Sequence, residues 1–182
     1  MKLRLKAKIV TAILFGVAII AGLYLEKISR IDINRFYPPD NRIVSDQFEK
    51  PLRWFPDING ERHIWVSFDK IADTTIKAFI AAEDQRFFDH IGIDPVAMVR
   101  ALKENMVQGK IVSGASTLTQ QMIRIAYPRN RTYSKKFIEV LRSFRTEGHL
   151  SKEEILEVYL NRVPMGNNLT GVEAASRIYF TK

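Results

Sequence analysis

The chain contains no cysteine. Disulfide staples, thiolate nucleophiles and cysteine-based zinc sites are therefore excluded, and cysteine usage gives no clue to compartment. Histidine is scarce too: His63, His90 and His149 are the three present, and none has a partner at metal-ligand spacing. No Gly-x-Ser-x-Gly elbow occurs, so the sharp turn that presents a serine nucleophile in many hydrolases is missing. There is neither an internal repeat nor a low-complexity tract.

What remains is a foldable, basic chain. Its 182 residues suit one ordinary domain plus an appendage, with 46% hydrophobic and 26% charged residues. Lysine and arginine number 28 against 20 acids, a formal charge of +8. Such a balance calls for an anionic partner: phosphate groups, an acidic membrane surface or nucleic acid. Part of the excess sits on Lys2, Arg4, Lys6 and Lys8. Ile9 to Leu25 then carries no charge over about 17 residues, near the lower limit for a spanning helix. The basic flank predicts that residues 1–8 stay in the cytoplasm, that 9–25 anchor the chain in one pass, and that everything after Glu26 lies outside. A signal peptide is the competing reading, but Leu23-Tyr24-Leu25-Glu26 makes a poor cleavage site.

Residues 26–42 read as a linker ending in Tyr37-Pro38-Pro39-Asp40. Leu52-Arg53-Trp54-Phe55 and His63-Ile64-Trp65-Val66 flank a turn at Asn59-Gly60, which predicts a small sheet. From Asp73 on, the pattern is helical. Asp73 can cap a helix with Ile76, Phe79 and Ile80 inward. Pro95 suits the first turn of the next, with Val96, Val99, Ala101 and Leu102 as its apolar face. Gly109 and Gly114 bracket a loop before a helix bearing Leu118, Met122 and Ile125. After Tyr127-Pro128-Arg129-Asn130-Arg131, a fourth helix carries Phe137, Val140, Leu141 and Phe144 inward, ending near Gly148. Ser151-Lys152-Glu153-Glu154 is a capping box opening a fifth, with Ile155, Leu156, Tyr159 and Leu160 inward. A sixth begins near Gly171.

Three segments could carry chemistry. Glu83 and Asp84 end an apolar helix, where partial desolvation makes a carboxylate a better base; a plain solvated helix end is the competing reading. Gly114-Ala115-Ser116-Thr117-Leu118-Thr119-Gln120-Gln121 offers hydroxyls, amides and free backbone N–H groups at a helix start, suited to phosphate or sugar oxygens, or serving simply as a cap. In Lys135-Lys136-Phe137-Ile138-Glu139, with Arg142 beyond, Glu139 lies within helical reach of Lys135 and Arg142, a cationic cluster for pyrophosphate or else a solvated face of ion pairs.

Together these segments resemble the family-51 peptidoglycan glycosyltransferases, the polymerase module of class A penicillin-binding proteins. Glu83-Asp84-x-x-Phe87-x-x-His90-x-Gly92 is similar to the family's first motif. Gly114-x-Ser116-Thr117-Leu118-Thr119-Gln120-Gln121 is similar to the second and Lys135-Lys136-x-x-Glu139 to the third. Lys152-x-x-Ile155-Leu156-Glu157-x-Tyr159-Leu160-Asn161 resembles the fourth, and Gly171 with Ala174-Ala175 and Tyr179-Phe180 the fifth. Trp54 to Gly60 and Asn161 to Gly166 look most like the 1C branch. Thr170 stands where many relatives carry arginine, and Thr181 where glycine usually follows Tyr-Phe.

The resemblance implies a mainly α, lysozyme-like, two-lobed glycosyltransferase domain over 43–182, with a small N-terminal β element and one preceding transmembrane helix. It also implies that one lobe dips into the bilayer, and that further helices follow Lys182, leaving the domain incomplete at its C-terminal end. By resemblance the donor is a lipid-linked glycan strand and the acceptor lipid II, with polyprenyl pyrophosphate released. Glu83 would be the general base and Glu139 the second catalytic glutamate. Asp84, Phe87, His90, Gly114, Ser116, Thr117, Thr119, Gln120, Gln121, Lys135, Lys136 and Asn161 would bind substrate. No cofactor is required, although a divalent cation, magnesium or manganese, fits at the pyrophosphate. The partners implied are the lipid substrates, the bacterial cytoplasmic membrane and other cell-wall synthesis proteins, with no nucleic acid. A membrane-bound remnant that binds precursor without turnover is the alternative, and a glycan-cleaving lysozyme relative a third reading that the cationic cluster disfavours.

Overall fold

A computed structural model describes residues 2–37, 41–48, 51–128, 130 and 132–180, without the side chains at 2–7, 9, 10, 12 and 51. Most of the expected basic tail, the Pro38-Pro39-Asp40 turn, Arg129, Arg131 and Thr181 thus lie outside the described residues.

Among the described residues the α-helices are α1 Lys2–Ile28, α2 Asp73–Glu83, α3 Pro95–Gln108, α4 Leu118–Ala126, α5 Tyr133–Glu147, α6 Lys152–Arg162 and α7 Val172–Phe180. The core forms where α4 crosses α6. Leu118, Met122 and Ile123 of α4 meet Ile155, Leu156, Val158, Tyr159 and Leu160 of α6, with Phe36, Ile71, Ile76 and Phe87 completing the cluster. α6 begins as its sequence demands: the Ser151 hydroxyl accepts from the Glu154 amide, and the Glu154 carboxylate accepts from the Ser151 amide.

α1 covers the segment expected to be the anchor. Ile13, Leu14, Phe15, Val17, Ile20 and Leu23 are all exposed around it, so its length does not pack on the domain. Among the described residues no helix is long and apolar enough to cross a membrane; the anchor's positions 9, 10 and 12 lie outside that description. Its last turn docks through the Arg145–Glu26 ion pair and the Arg142 guanidinium, which donates to the Ile28 carbonyl at 3.1 Å.

The stretch read as a linker packs on the domain. Ile33–Phe36 forms a 3-10 turn, and Phe36 is fully buried in the core. Arg162 donates to the carbonyls of Arg35 and Phe36 at 2.8 and 3.1 Å, and the Asp32 amide donates to the Tyr127 hydroxyl at 2.5 Å. Phe36, Tyr127 and Arg162 fix this path.

The strands pair differently from expectation. β1 (Arg42–Ser45) pairs antiparallel with β2 (Pro51–Phe55), so Trp54 faces Ile43 and not the His63 segment. The Asn59-Gly60 turn does form, with Gly60 at φ +80°, but it links two different sheets. β3 (Arg62–His63) runs parallel to β5 (Leu169–Thr170), which pairs with β4 (Pro164–Gly166). Asn167 and Asn168, at φ 50° and 57°, make the tight β4–β5 turn, the left-handed pair that suits a two-residue hairpin.

Three helix readings need correction. Ala72, not Asp73, is the N-cap of α2, and Asp73 sits in the first turn. On α3 only Ala101 is buried; Val96, Val99 and Leu102 are exposed. The start of α3 is well determined, however, with Asp94 capping through the Ala97 amide at 2.8 Å and Pro95 following. On α5 the inward stripe is polar. Glu139, Ser143 and Thr146 are buried, while Phe137 and Phe144 face out. Electrostatics override the apolar pattern there, because the buried Glu139 carboxylate must meet Arg124 of α4 and Lys136.

Candidate active site

Glu83 is the last residue of α2, with Asp84 as C-cap. The two neighbours separate completely. Asp84 is turned inward, both its oxygens 3.0 Å from His90 Nε2, and Oδ2 accepts from the Leu118 amide at 3.0 Å. That last bond satisfies a free N–H at the first turn of α4 and places a negative charge at the positive end of the helix dipole. His90 is buried with it, and its carbonyl accepts from Lys152 Nζ at 2.6 Å. Phe87 is fully buried beneath. The first motif is thus mostly a clamp, tying the end of α2 to the start of α4.

Glu83 itself is exposed, in keeping with the solvated helix-end reading. Its orientation is fixed by a relay. Gln121 Nε2 donates to Glu83 Oε2 at 2.9 Å, and Tyr159 Oη donates to Gln121 Oε1 at 3.2 Å. Burial, aided by the charge of Glu83, pushes the Tyr159 phenol up to about 12, which keeps it a donor. Tyr159 lies in the core, so the carboxylate rests on rigid structure.

A groove of about 140 Å³ opens beside Glu83, lined also by Arg86, Arg100, Gly114, Ser116 and Thr117. Its wall is held by Arg86, which pairs with the buried Asp94. That hydrogen bond, helped by the Ala97 amide, holds the Asp94 carboxyl at about 2, below its usual 3.8.

Next to it lies a second pocket of about 270 Å³, lined by Arg124, Lys135, Glu139 and Arg142. Glu139 is 2% exposed and is reached by Lys136 Nζ at 2.5 Å and Arg124 at 3.4 Å. Sequence spacing had put Lys135 and Arg142 around it; the structure gives it Lys136 and a cation from α4. Lys136 Nζ also donates to Gln120 Oε1 at 2.6 Å. Ser116 joins the two pockets. It lines the Glu83 groove, and its hydroxyl accepts from Arg124 and Lys136, each at 3.4 Å. Glu83 and Glu139 therefore border one continuous polar surface.

The other expected substrate residues divide. Gly114, Ser116 and Lys135 line the two pockets, as does Thr117, although Thr117 also caps α4 and donates to the Gly92 carbonyl at 2.8 Å. Thr119 and Gln120 are spent inside the protein: Thr119 donates to Glu147 at 2.6 Å, and the Gln120 amide reaches the Gly92 carbonyl and Lys136. Asn161 is 1% exposed and bonds both ends of the Val66 peptide, at 2.8 and 2.7 Å. It works as a strand partner for that loop, away from solvent. Thr170 donates to Glu61 at 3.0 Å. Arg124 and Arg100 were missed; Arg124 sits in an apolar-looking helix pattern with no local acid to mark it, and Arg100 reads as an ordinary i, i+4 neighbour of Glu104.

The sequence profile described as transglycosylase matches residues 49–182. Penicillin-binding protein 1A of Aquifex aeolicus is 41% identical over 140 residues, 76% of this chain and 19% of that protein. Penicillin-binding protein 1C of Escherichia coli K12 is 38% identical, over 78% of this chain and 18% of its own length. A biosynthetic peptidoglycan transglycosylase of Thiobacillus denitrificans is 41% identical, over 66% of this chain and 53% of its own. This chain belongs to the transglycosylase family. It spans under a fifth of the two penicillin-binding proteins and about half of the shorter relative. Identity is alike across these branches and singles out none.

Proposed function

We propose that this chain is a peptidoglycan glycosyltransferase of the bacterial cytoplasmic membrane, joining lipid II to a lipid-linked glycan strand during wall synthesis. The observation that carries the reading is the shared surface: an oriented, solvent-reachable carboxylate at Glu83 beside a cationic pocket around Glu139. In this scheme Glu83 takes the proton from the acceptor's sugar hydroxyl as its oxygen bonds to the donor's anomeric carbon. The bond from that carbon to the pyrophosphate oxygen breaks, with inversion. Charge then grows on the departing pyrophosphate, where Arg124, Lys135 and Lys136 supply donors in place. Glu139 fixes Lys136 and Arg124 as a positioning residue.

Membrane attachment supports the same reading. Both substrates carry polyprenyl tails, and α1 exposes apolar side chains that none of the described residues covers. Val96, Val99, Leu102, Met106, Val107 and Ile111 add a second exposed apolar surface on α3 and the loop after it. Patches of this kind mark a membrane or partner contact. The single-pass topology, N-terminus inside, follows from the basic flank.

The pocket residues alone offer a divalent cation little hold, so one bound there would depend on the pyrophosphate oxygens. Glu139 is the pocket's one lining carboxylate among the described residues and already holds two cations, and no group of three suitable ligands occurs among those residues. No step here is routed through a metal.

Glu83→Gln tests the reading. Lipid II polymerisation should fall by about 10²–10⁴-fold, the usual worth of a general base, while thermal unfolding stays close to wild type. Polymerisation at the wild-type rate would remove Glu83 from that role. Lipid II binding without turnover by the unaltered chain would favour a binding remnant.

A further inference from the structure

The cationic pocket has a contributor that lies outside the family-matching region. Arg35 belongs to the 3-10 turn at Ile33–Phe36, before residue 49, yet it lines the pocket with Arg124, Lys135 and Arg142. Four cations thus face one carboxylate, Glu139. Like charges gather only where something holds them, and here an aromatic ring does. The Arg35 guanidinium lies 4.9 Å from the Tyr127 ring centroid, and that of Arg142 lies 4.0 Å from it. Tyr127 is itself pinned, accepting from the Asp32 amide at 2.5 Å.

Both guanidiniums keep unspent capacity. Asp32 comes within 4.0 Å of Arg35, but both side chains are more than half exposed and the pair is weak. Arg142 gives one N–H to the Ile28 carbonyl. Its Nε is buried with no acceptor among the described residues, and a buried donor left unpaired is costly. Burial first, and the nearby charge of Arg35 after it, pull the Arg142 guanidinium below its ordinary value. Both features would be relieved by an anion.

We propose that Arg35 and Arg142, stacked on Tyr127, clamp a diphosphate in this pocket, making the segment between α1 and β1 part of the binding site. A diphosphate is the ligand favoured by charge. It carries at least two negative charges against the pocket's excess of three cations, whereas a bilayer phosphodiester headgroup carries one. The proposal rests on reading the pocket as the pyrophosphate end of the site and adds residues to it that the motifs do not contain.

The test is calorimetric titration of the full chain in detergent micelles with inorganic pyrophosphate, and in parallel with dimethyl phosphate. Arg35→Gln should weaken pyrophosphate binding on the order of tenfold, the worth of one charge-assisted contact. Arg35→Lys should recover most of it. Arg142→Gln should do at least as much damage, with thermal unfolding run beside it because that variant also loses the Ile28 bond. Unchanged pyrophosphate affinity in Arg35→Gln overturns the proposal, since that exposed side chain can be replaced without unfolding. Equal affinity for dimethyl phosphate and pyrophosphate overturns the diphosphate assignment. The two readings fail separately. A chain that makes no glycan but loses pyrophosphate through Arg35→Gln refutes the polymerase alone. A chain that polymerises, with Arg35→Gln binding as wild type, refutes the clamp alone.

Discussion

Replacing Asp84 with asparagine keeps the shape of the first motif and removes its charge. In the native protein the carboxylate meets His90 Nε2 with both oxygens at 3.0 Å, and one oxygen also takes the Leu118 amide. Asparagine has one acceptor oxygen, so its NH₂ must face either the Leu118 N–H or the imidazole nitrogen. Facing the imidazole requires His90 to change tautomer, which puts a proton on Nδ1, a buried atom with no partner among the described residues. Charged hydrogen bonds contribute about 1.5–3 kcal/mol and neutral ones about 0.5–1.5. Weakening two of them, together with the lost charge at the α4 dipole, sums to about 2–4 kcal/mol. For a chain of this length that lowers Tm by roughly 5–15 °C. Thermal unfolding followed by circular dichroism measures it, and amide exchange at Leu118 should quicken in step. A His90→Gln, Asp84→Asn double variant should cost clearly less than the sum of the singles, because both cut one bond. A Tm drop under about 2 °C, or strict additivity, would refute the clamp.

Other consequences are as direct. Gly171→Ala should destabilise by about 2–4 kcal/mol in denaturant titration, since φ is +86° and the new Cβ would meet the Asn161 carbonyl oxygen at 2.7 Å; a loss under about 0.5 would show that the α6–β5 contact gives way. Asp94, held at about 2 in the folded chain, contributes stability that is full above its ordinary 3.8 and vanishes as pH falls towards 2. The Asp94→Asn variant should therefore lose less stability than wild type between pH 4 and 2, and an acid profile parallel to wild type would contradict this. Tyr159→Phe should cut kcat for glycan formation by about threefold to tenfold with KM little changed, by freeing Gln121 beneath Glu83; equal rates would dismiss the relay.

Much of the helical frame could be read directly from the sequence. Pro95, Gly109 and the Ser151–Glu154 box mark helix ends by local chemistry, and those signals do not depend on the rest of the fold. Strand pairing was not legible, because two-residue strands such as Arg62–His63 gain their partners from Leu169–Thr170, more than a hundred residues away. The polar inward face of α5 contradicts its apolar pattern for a similar reason: Glu139 is buried to meet Arg124, a partner that i, i+4 spacing cannot supply. The motif residues were found, but their division into exposed Glu83 and buried Asp84, Thr119, Gln120 and Asn161 depends on packing. Arg35 gave no signal at all in a stretch that read as tether.

The bolt between α1 and α5 has a mechanical corollary. Glu26 and Ile28 grip Arg145 and Arg142, one turn apart on α5, and Arg142 also walls the cationic pocket. A helix so fastened is a lever and not a leash. If α1 spans the bilayer, a thinner or thicker membrane that changes its tilt would strain the Ile28–Arg142 bond and shift that guanidinium, making the lipid surroundings a control on how tightly phosphate is gripped.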